Sequence, residues 1–247
     1  VARLYRLGEP VLRWDEGWSL AHASLPWADL WRIASEEWHP PLYVALLKLW
    51  LALGKSAVSI RALSVIAGVA AVPLAYEVAR LWSERVRLAL LAALFAALWP
   101  LSVYYSQVAR MYALAALPAL GAAWFILRND AKRHWINDLG LLLCTVLGLY
   151  TLYYTVWALA ALWLCAALRR PRYIPRLLLL GLLAMFAYAP WLWIARDALQ
   201  TRVSAGAAAG SSVNALFSSS RALASRILRP SLPSTTTITR RPLRFAV

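Results

Sequence analysis

Asp15 and Glu16 stand side by side, Glu36 and Glu37 follow, and His39 precedes a Pro-Pro step, all within residues 14–43, WDEGWSLAHASLPWADLWRIASEEWHPPLY. It is the one stretch of the chain where acids cluster. Such a pair can act as a general base, contribute ligands to a divalent cation, or simply charge the first turn of a helix favourably. His39 could add an imidazole ligand, although it follows Glu16 only after 23 residues (39 − 16). A second candidate set lies in YYSQVARMYAL, where Arg110 is flanked by Tyr104, Tyr105, Gln107 and Tyr112. A guanidinium among phenols and an amide can hold a phosphate and a sugar. The plainer reading of Arg110 is a snorkelling anchor at a membrane boundary. Arg61 could assist a phosphate by the same logic, whereas Glu77, three residues before Arg80, reads as a local ion pair.

What positions these residues follows from composition. Hydrophobic residues make up 62% of the 247, charged residues only 15%, and the mean hydropathy is +0.59. A soluble domain carries about 25% charged residues, so the chain reads as an all-α, polytopic membrane protein. The formal charge of +15, from 26 Lys and Arg against 11 Asp and Glu, would suggest nucleic acid in a soluble chain. Here the basic residues fall between apolar runs, as cytoplasmic loops of membrane proteins do, and no nucleic-acid partner is expected. Cys144 and Cys165 both lie inside apolar runs, which excludes a disulfide framework and a paired-cysteine metal site. The opening VARLYRLGEP lacks an initiator methionine, and we expect a longer parent chain with an apolar run of about 20 residues upstream.

The pattern divides the chain into residues 1–58, an extracytoplasmic loop with interfacial helices; 59–195, a transmembrane helical domain; and 196–247, a low-complexity tail expected to be disordered. From Pro26 to Trp38, the residues Trp27, Leu30, Trp31, Ala34 and Trp38 form one narrow apolar stripe, with Asp29, Arg32 and Glu36 on the other side. That helix would lie on the membrane, and five of the fourteen tryptophans precede residue 40, which suits the headgroup region. Residues 42–53 are too short to span and predict a second interfacial or re-entrant helix starting at Pro40-Pro41.

Spans are expected at 60–79, 88–105, 111–127, 139–168 and 177–195. Arginines at 80, 85 and 87, at 128 and 133 with Lys132, and at 169, 170, 172 and 176 mark three cytoplasmic loops. That orientation closes only if residues 139–168 cross twice, turning near residues 150–154, which makes about six spans. Asp15, the loop at 106–110 and the tyrosine turn then meet on the extracytoplasmic side of a plasma or inner membrane. A weak helix over 213–228 in the tail is too polar to cross.

The ordered set of Asp-Glu, a Trp-rich polar segment, HPPLY, a span and then YYSQ-x-ARMYAL resembles the GT-C membrane glycosyltransferases of the family 39 type. These are relatives of protein O-mannosyltransferases and lipid A aminoarabinose transferases. The resemblance covers about residues 1–195. It implies an inverting transferase that moves a sugar from a polyprenyl-phosphate donor to a hydroxyl on a protein, lipid or glycan acceptor outside the cytoplasm. It implies Asp15 as catalytic base with Glu16 supporting it, and a substrate site comprising His39, Arg61, Tyr105, Gln107, Arg110 and Tyr112. It leaves room for a divalent metal ion, with His39 as the candidate ligand. The chain departs from the family at Val108, where relatives commonly carry glutamate, and at Leu152, where they often carry histidine. Two other readings remain open: an inactive relative that binds polyprenyl-phosphate lipid, and a polytopic transporter or flippase. The spans at 88–105 and 111–127 lack the ionisable residues near mid-membrane that a transporter would place there.

Overall fold

The computed structural model describes residues 2–36, 39–131, 134–197 and 200. The expected tail helix over 213–228, and the expected disorder beyond 200, lie outside the described residues, as do Glu37, Trp38, Lys132 and Arg133. All regular structure among the described residues is helical, and residues 1–198 form one compact unit.

Three short helices come first: α1 (Trp14–Ser24), α2 (Trp27–Glu36) and α3 (Leu42–Trp50). In α2 the apolar stripe divides. Leu30 and Ala34 are buried, while Trp27 and Trp31 remain exposed and stack on each other with ring centroids 6.5 Å apart. Exposed paired indoles on a polar helix are what an interfacial position favours. In α3, Pro40 and Pro41 are fully buried at the entry, and Tyr43 and Leu47 face inward. Lys48 of α3 donates to the carbonyls of Ala23 and Leu25, closing the end of α1 with a cation, as a helix C-terminus prefers.

The apolar part comprises α4 (Ala57–Ser83), α5 (Val86–Leu98), α6 (Pro100–Ser106), α7 (Tyr112–Ala131), α8 (Trp135–Thr151), α9 (Thr155–Arg169) and α10 (174–197). Helix α4 starts at Ser56, whose hydroxyl accepts from the Ser59 N–H at 3.1 Å, an N-cap that sequence reasoning had not used. By length and composition, two helices among the described residues can cross a membrane, Ala57–Ser83 and Pro171–Asp197; a third crossing results if α5 and α6 count as one bent span. Length alone is compatible with an integral membrane protein.

The run 139–168 is two helices, α8 and α9, separated at Leu152–Tyr154, within the expected turn. One expected span takes a different form: the run at 88–105 is not continuous. It breaks at Trp99 before Pro100, and α5 and α6 meet at a 53° bend. Proline has no N–H to give the carbonyl four residues back, so the Ala96 carbonyl needs another donor. Arg3 provides it: Nη2 donates to Ala96 O at 2.7 Å and Nη1 to Ala97 O at 2.8 Å. The same guanidinium reaches Ser102 Oγ at 2.9 Å and Ser106 Oγ at 3.0 Å, so it closes the end of α5 and holds α6. Gly68 of α4 permits this approach, because a Cβ there would lie 2.0 Å from Ser106 Oγ.

At the far end of the bundle a second polar knot ties four segments. Asp138 of α8, 3% exposed, pairs with Arg176 of α10 and accepts from Tyr173 and from Asn129 Nδ2 of α7, the last at 2.9 Å. A carboxylate this deep is tolerable because cation and donors surround it. The aliphatic core between these knots includes Leu141, Leu159, Leu177 and Leu180.

Candidate active site

Asp15 and Glu16 both fall in the first turn of α1, where acids favour the helix dipole. Beyond that they diverge. Glu16 is fully buried and meets Arg61 of α4 through two parallel bonds of 2.8 Å, Nε to Oε1 and Nη2 to Oε2. It also accepts the backbone N–H of Arg13 at 3.0 Å and of Ala109 at 2.9 Å. Burial alone would raise the Glu16 pKa, but the Arg61 bonds, the two N–H groups and the Arg61 charge outweigh it and hold it below the usual carboxylate range. Four donors leave Glu16 no lone pair to offer a substrate.

Arg61 is equally committed. Its Nη1 donates to Leu7 O at 2.7 Å and Pro10 O at 3.1 Å, and Nη2 reaches Val11 O at 3.4 Å. The sequence-based expectation of a phosphate contact therefore meets a guanidinium that is 2% exposed and saturated with protein acceptors. Gln107 is also occupied: its Nε2 donates to the carbonyls of Ala2 at 3.2 Å and Tyr5 at 3.0 Å, tethering the N-terminal segment instead of facing a ligand.

Asp15 differs from Glu16 in being open. Its side chain is 45% exposed, and Oδ1 accepts the Glu16 N–H at 3.1 Å. Arg110 comes to it from the loop between α6 and α7. Arg110 Nε lies 3.9 Å from Asp15 Oδ2, and Nη1 donates to Asp15 O at 3.3 Å and to Ser19 Oγ at 3.1 Å. Ser19, 2% exposed, was missed from the sequence. It lies one helical turn after Asp15, the i,i+4 relation that shares a face, and its hydroxyl donates to Asp15 O. The Arg110 carbonyl in turn accepts from Ser64 of α4, whose hydroxyl contacts Tyr43 Oη at 3.0 Å. Burial, its largest influence, raises the Tyr43 pKa, so the phenol stays protonated and available to this chain of hydroxyls.

His39, with His22, Trp18, Tyr43 and Arg110, lines a narrow cleft of about 30 Å³ behind this pair. That is room for about one water, so the cleft itself admits nothing larger. Among the described residues no three His, Cys, Asp or Glu side chains come together as a metal site. Tyr105 and Tyr112 lie with ring centroids 4.8 Å apart. They head an apolar groove of about 720 Å³ between α4, α5, α6 and α7, whose walls include Ala75, Val78, Ala92 and Phe95. Val108 is buried, and Leu152 packs in the cluster with Tyr43, Ala109 and Met111, so neither position presents a polar group to the site.

No protein-family model, curated protein or solved structure matches the chain.

Proposed function

We propose that this protein is an inverting GT-C-type glycosyltransferase, taking a sugar from a polyprenyl-phosphate donor and giving it to a hydroxyl of a protein, lipid or glycan acceptor. The observation that carries this reading is the meeting of Asp15 with Arg110: an open carboxylate and a guanidinium 3.9 Å apart. An acceptor hydroxyl loses its proton to Asp15 as its oxygen attacks the anomeric carbon. The bond from that carbon to the donor phosphate breaks, and the polyprenyl phosphate leaves with the charge that Arg110 meets. Glu16 is a positioning residue in this scheme, locking the first turn of α1 onto α4 and onto the loop that carries Arg110.

The apolar groove headed by Tyr105 and Tyr112 supports a donor with a long hydrocarbon tail, since Tyr112 in its wall follows Arg110 by two residues in the chain. We place six crossings, with α4, α5–α6, α7, α8, α9 and α10, and the Asp15 site on the extracytoplasmic face; the arginines at 80, 85, 87, 128, 169, 170, 172 and 176 support that orientation. A cysteine at Tyr154, which is 72% exposed, introduced after Cys144 and Cys165 are changed to Ser, should react with an impermeant maleimide added outside intact cells. Labelling only after the membrane is opened would reverse the orientation. Sugar release from a radiolabelled polyprenyl-phosphate donor by purified protein in proteoliposomes tests the activity. A protein that binds this donor and never turns it over would favour the second reading, a non-catalytic binder, to which buried Val108 gives specific support.

A further inference from the structure

Helix α4 has its first turn against Glu16 through Arg61, and its last against α9, where the Arg169 guanidinium lies 5.0 Å from the Trp82 ring. At this second end, away from Asp15, is a cavity of about 370 Å³ lined by Asn129, Asp130, Arg169, Arg170, Arg172 and Tyr173, with Pro171 between. Its charge is unbalanced. Arg170 Nε lies 2.9 Å from Asp130 Oδ1 and Arg169 Nη2 lies 3.5 Å from Asp130 Oδ2, so two cations share one carboxylate. Arg172 has no ion pair among the described residues, and Asp138 is already neutralised by Arg176. Three arginines against one aspartate leave the wall with a net charge of +2.

The surroundings say what kind of anion fits. Leu168 (72% exposed), Ile174 and Leu178 (69%) lie near these arginines along the chain, Trp82 lies against Arg169 in space, and all four present bare apolar surface. A phosphate from solution would gain nothing from that surface, whereas a lipid would lay its acyl chains along it. We propose that this cavity binds the phosphate of an anionic phospholipid from the adjoining leaflet, with Arg172 and Arg169 as the principal contacts. Guanidinium forks suit phosphate oxygens, and an arginine at a lipid headgroup contributes about fivefold in affinity. The lipid would bridge the ends of α7, α9 and α10, of which the Asp138 knot also ties α7 and α10. This assignment needs the apolar helices to lie in a bilayer and is independent of any transferase activity.

The test uses the whole chain purified in a neutral maltoside. Fluorescent phosphatidylglycerol is titrated in, with phosphatidylcholine of the same acyl chains as the comparison. The expected result is saturable binding of phosphatidylglycerol, weakened about fivefold by Arg172→Gln and further by Arg169→Gln with Arg172→Gln, with little competition from millimolar inorganic phosphate. Arg172 has no ion pair or hydrogen bond among the described residues, so its replacement is expected to leave the fold intact, which thermal unfolding without lipid checks. Arg85→Gln and Arg87→Gln, exposed cations at the α4–α5 turn, should leave binding unchanged. Equal weakening by those two would show diffuse surface charge in place of a site. Full competition by inorganic phosphate would assign the cavity to a soluble anion, and unaltered binding in Arg172→Gln would overturn the proposal outright.

Discussion

Asp15→Asn will lower sugar transfer from a polyprenyl-phosphate donor by about 10²–10⁴-fold, the range for loss of a positioned general base, and leave thermal stability nearly unchanged. The substitution keeps the shape and keeps an oxygen to accept the Glu16 N–H. It removes one negative charge from a half-exposed side chain, and the 3.9 Å contact with Arg110 is of a kind worth at most about 1 kcal/mol. Function and folding therefore separate cleanly at this position. Initial rates in proteoliposomes and melting temperature in detergent, on the same preparation, check both halves. Undiminished transfer would remove Asp15 from the chemistry. A melting temperature that falls in step with the rate would make it a structural residue.

Glu16→Gln, one residue on, is expected to do the opposite: to destabilise the protein by about 3–5 kcal/mol, the cost of leaving a buried partner charge uncompensated. Arg61 would remain 2% exposed with only carbonyls for company. The amide NH₂ would also turn a donor toward groups that are themselves donors, Arg61 Nη2 and the Arg13 N–H. Removing Arg61 as well restores little, since the Leu7 and Pro10 carbonyls then lose their donor. The same pair sets an acid limit. Because the folded-state pKa of Glu16 is depressed, its contribution is fully present above the unperturbed value of about 4.3 and is lost as pH falls through the lower folded value. Melting temperatures taken downward from pH 5 should fall more steeply in the wild type than in Glu16→Gln. Parallel curves would mean that another carboxylate governs acid unfolding.

These two residues also show where reading a sequence runs out. The acid cluster stood out by composition, the helix α2 followed from periodicity, and the division of residues 139–168 into two helices followed from loop charge. The bend at Pro100 was visible as a proline and still went unmarked, because an apolar run looks continuous to a hydropathy count. The different environments of Asp15 and Glu16 had no local signal. Glu16 owes its burial to Arg61, 45 residues away, and to the Ala109 N–H, 93 residues away. Arg61 and Gln107 were recognised as donors, but a side chain's type does not say whose acceptors it will meet. Ser19 was within reach of reasoning, by its i,i+4 spacing from Asp15. Arg3 was not, since nothing near it in the chain declares the carbonyls freed at Pro100.

The strap formed by residues 2–11 has a consequence for how the protein is made. Arg3 finds its partners in α5 and α6 after separations of 93 to 103 residues, and Gln107 ties the strap's carbonyls from about as far. A chain synthesised at about 5–20 residues per second exposes the strap and Asp15 on the order of 5–20 s before Ser106 and Ala109 exist. Contacts of such long range are closed late, after loop entropy has been overcome. Asp15 and Glu16, synthesised well before their partners, are thus among the last residues to reach their places, and assembly of the site reports that the bundle beneath it is complete.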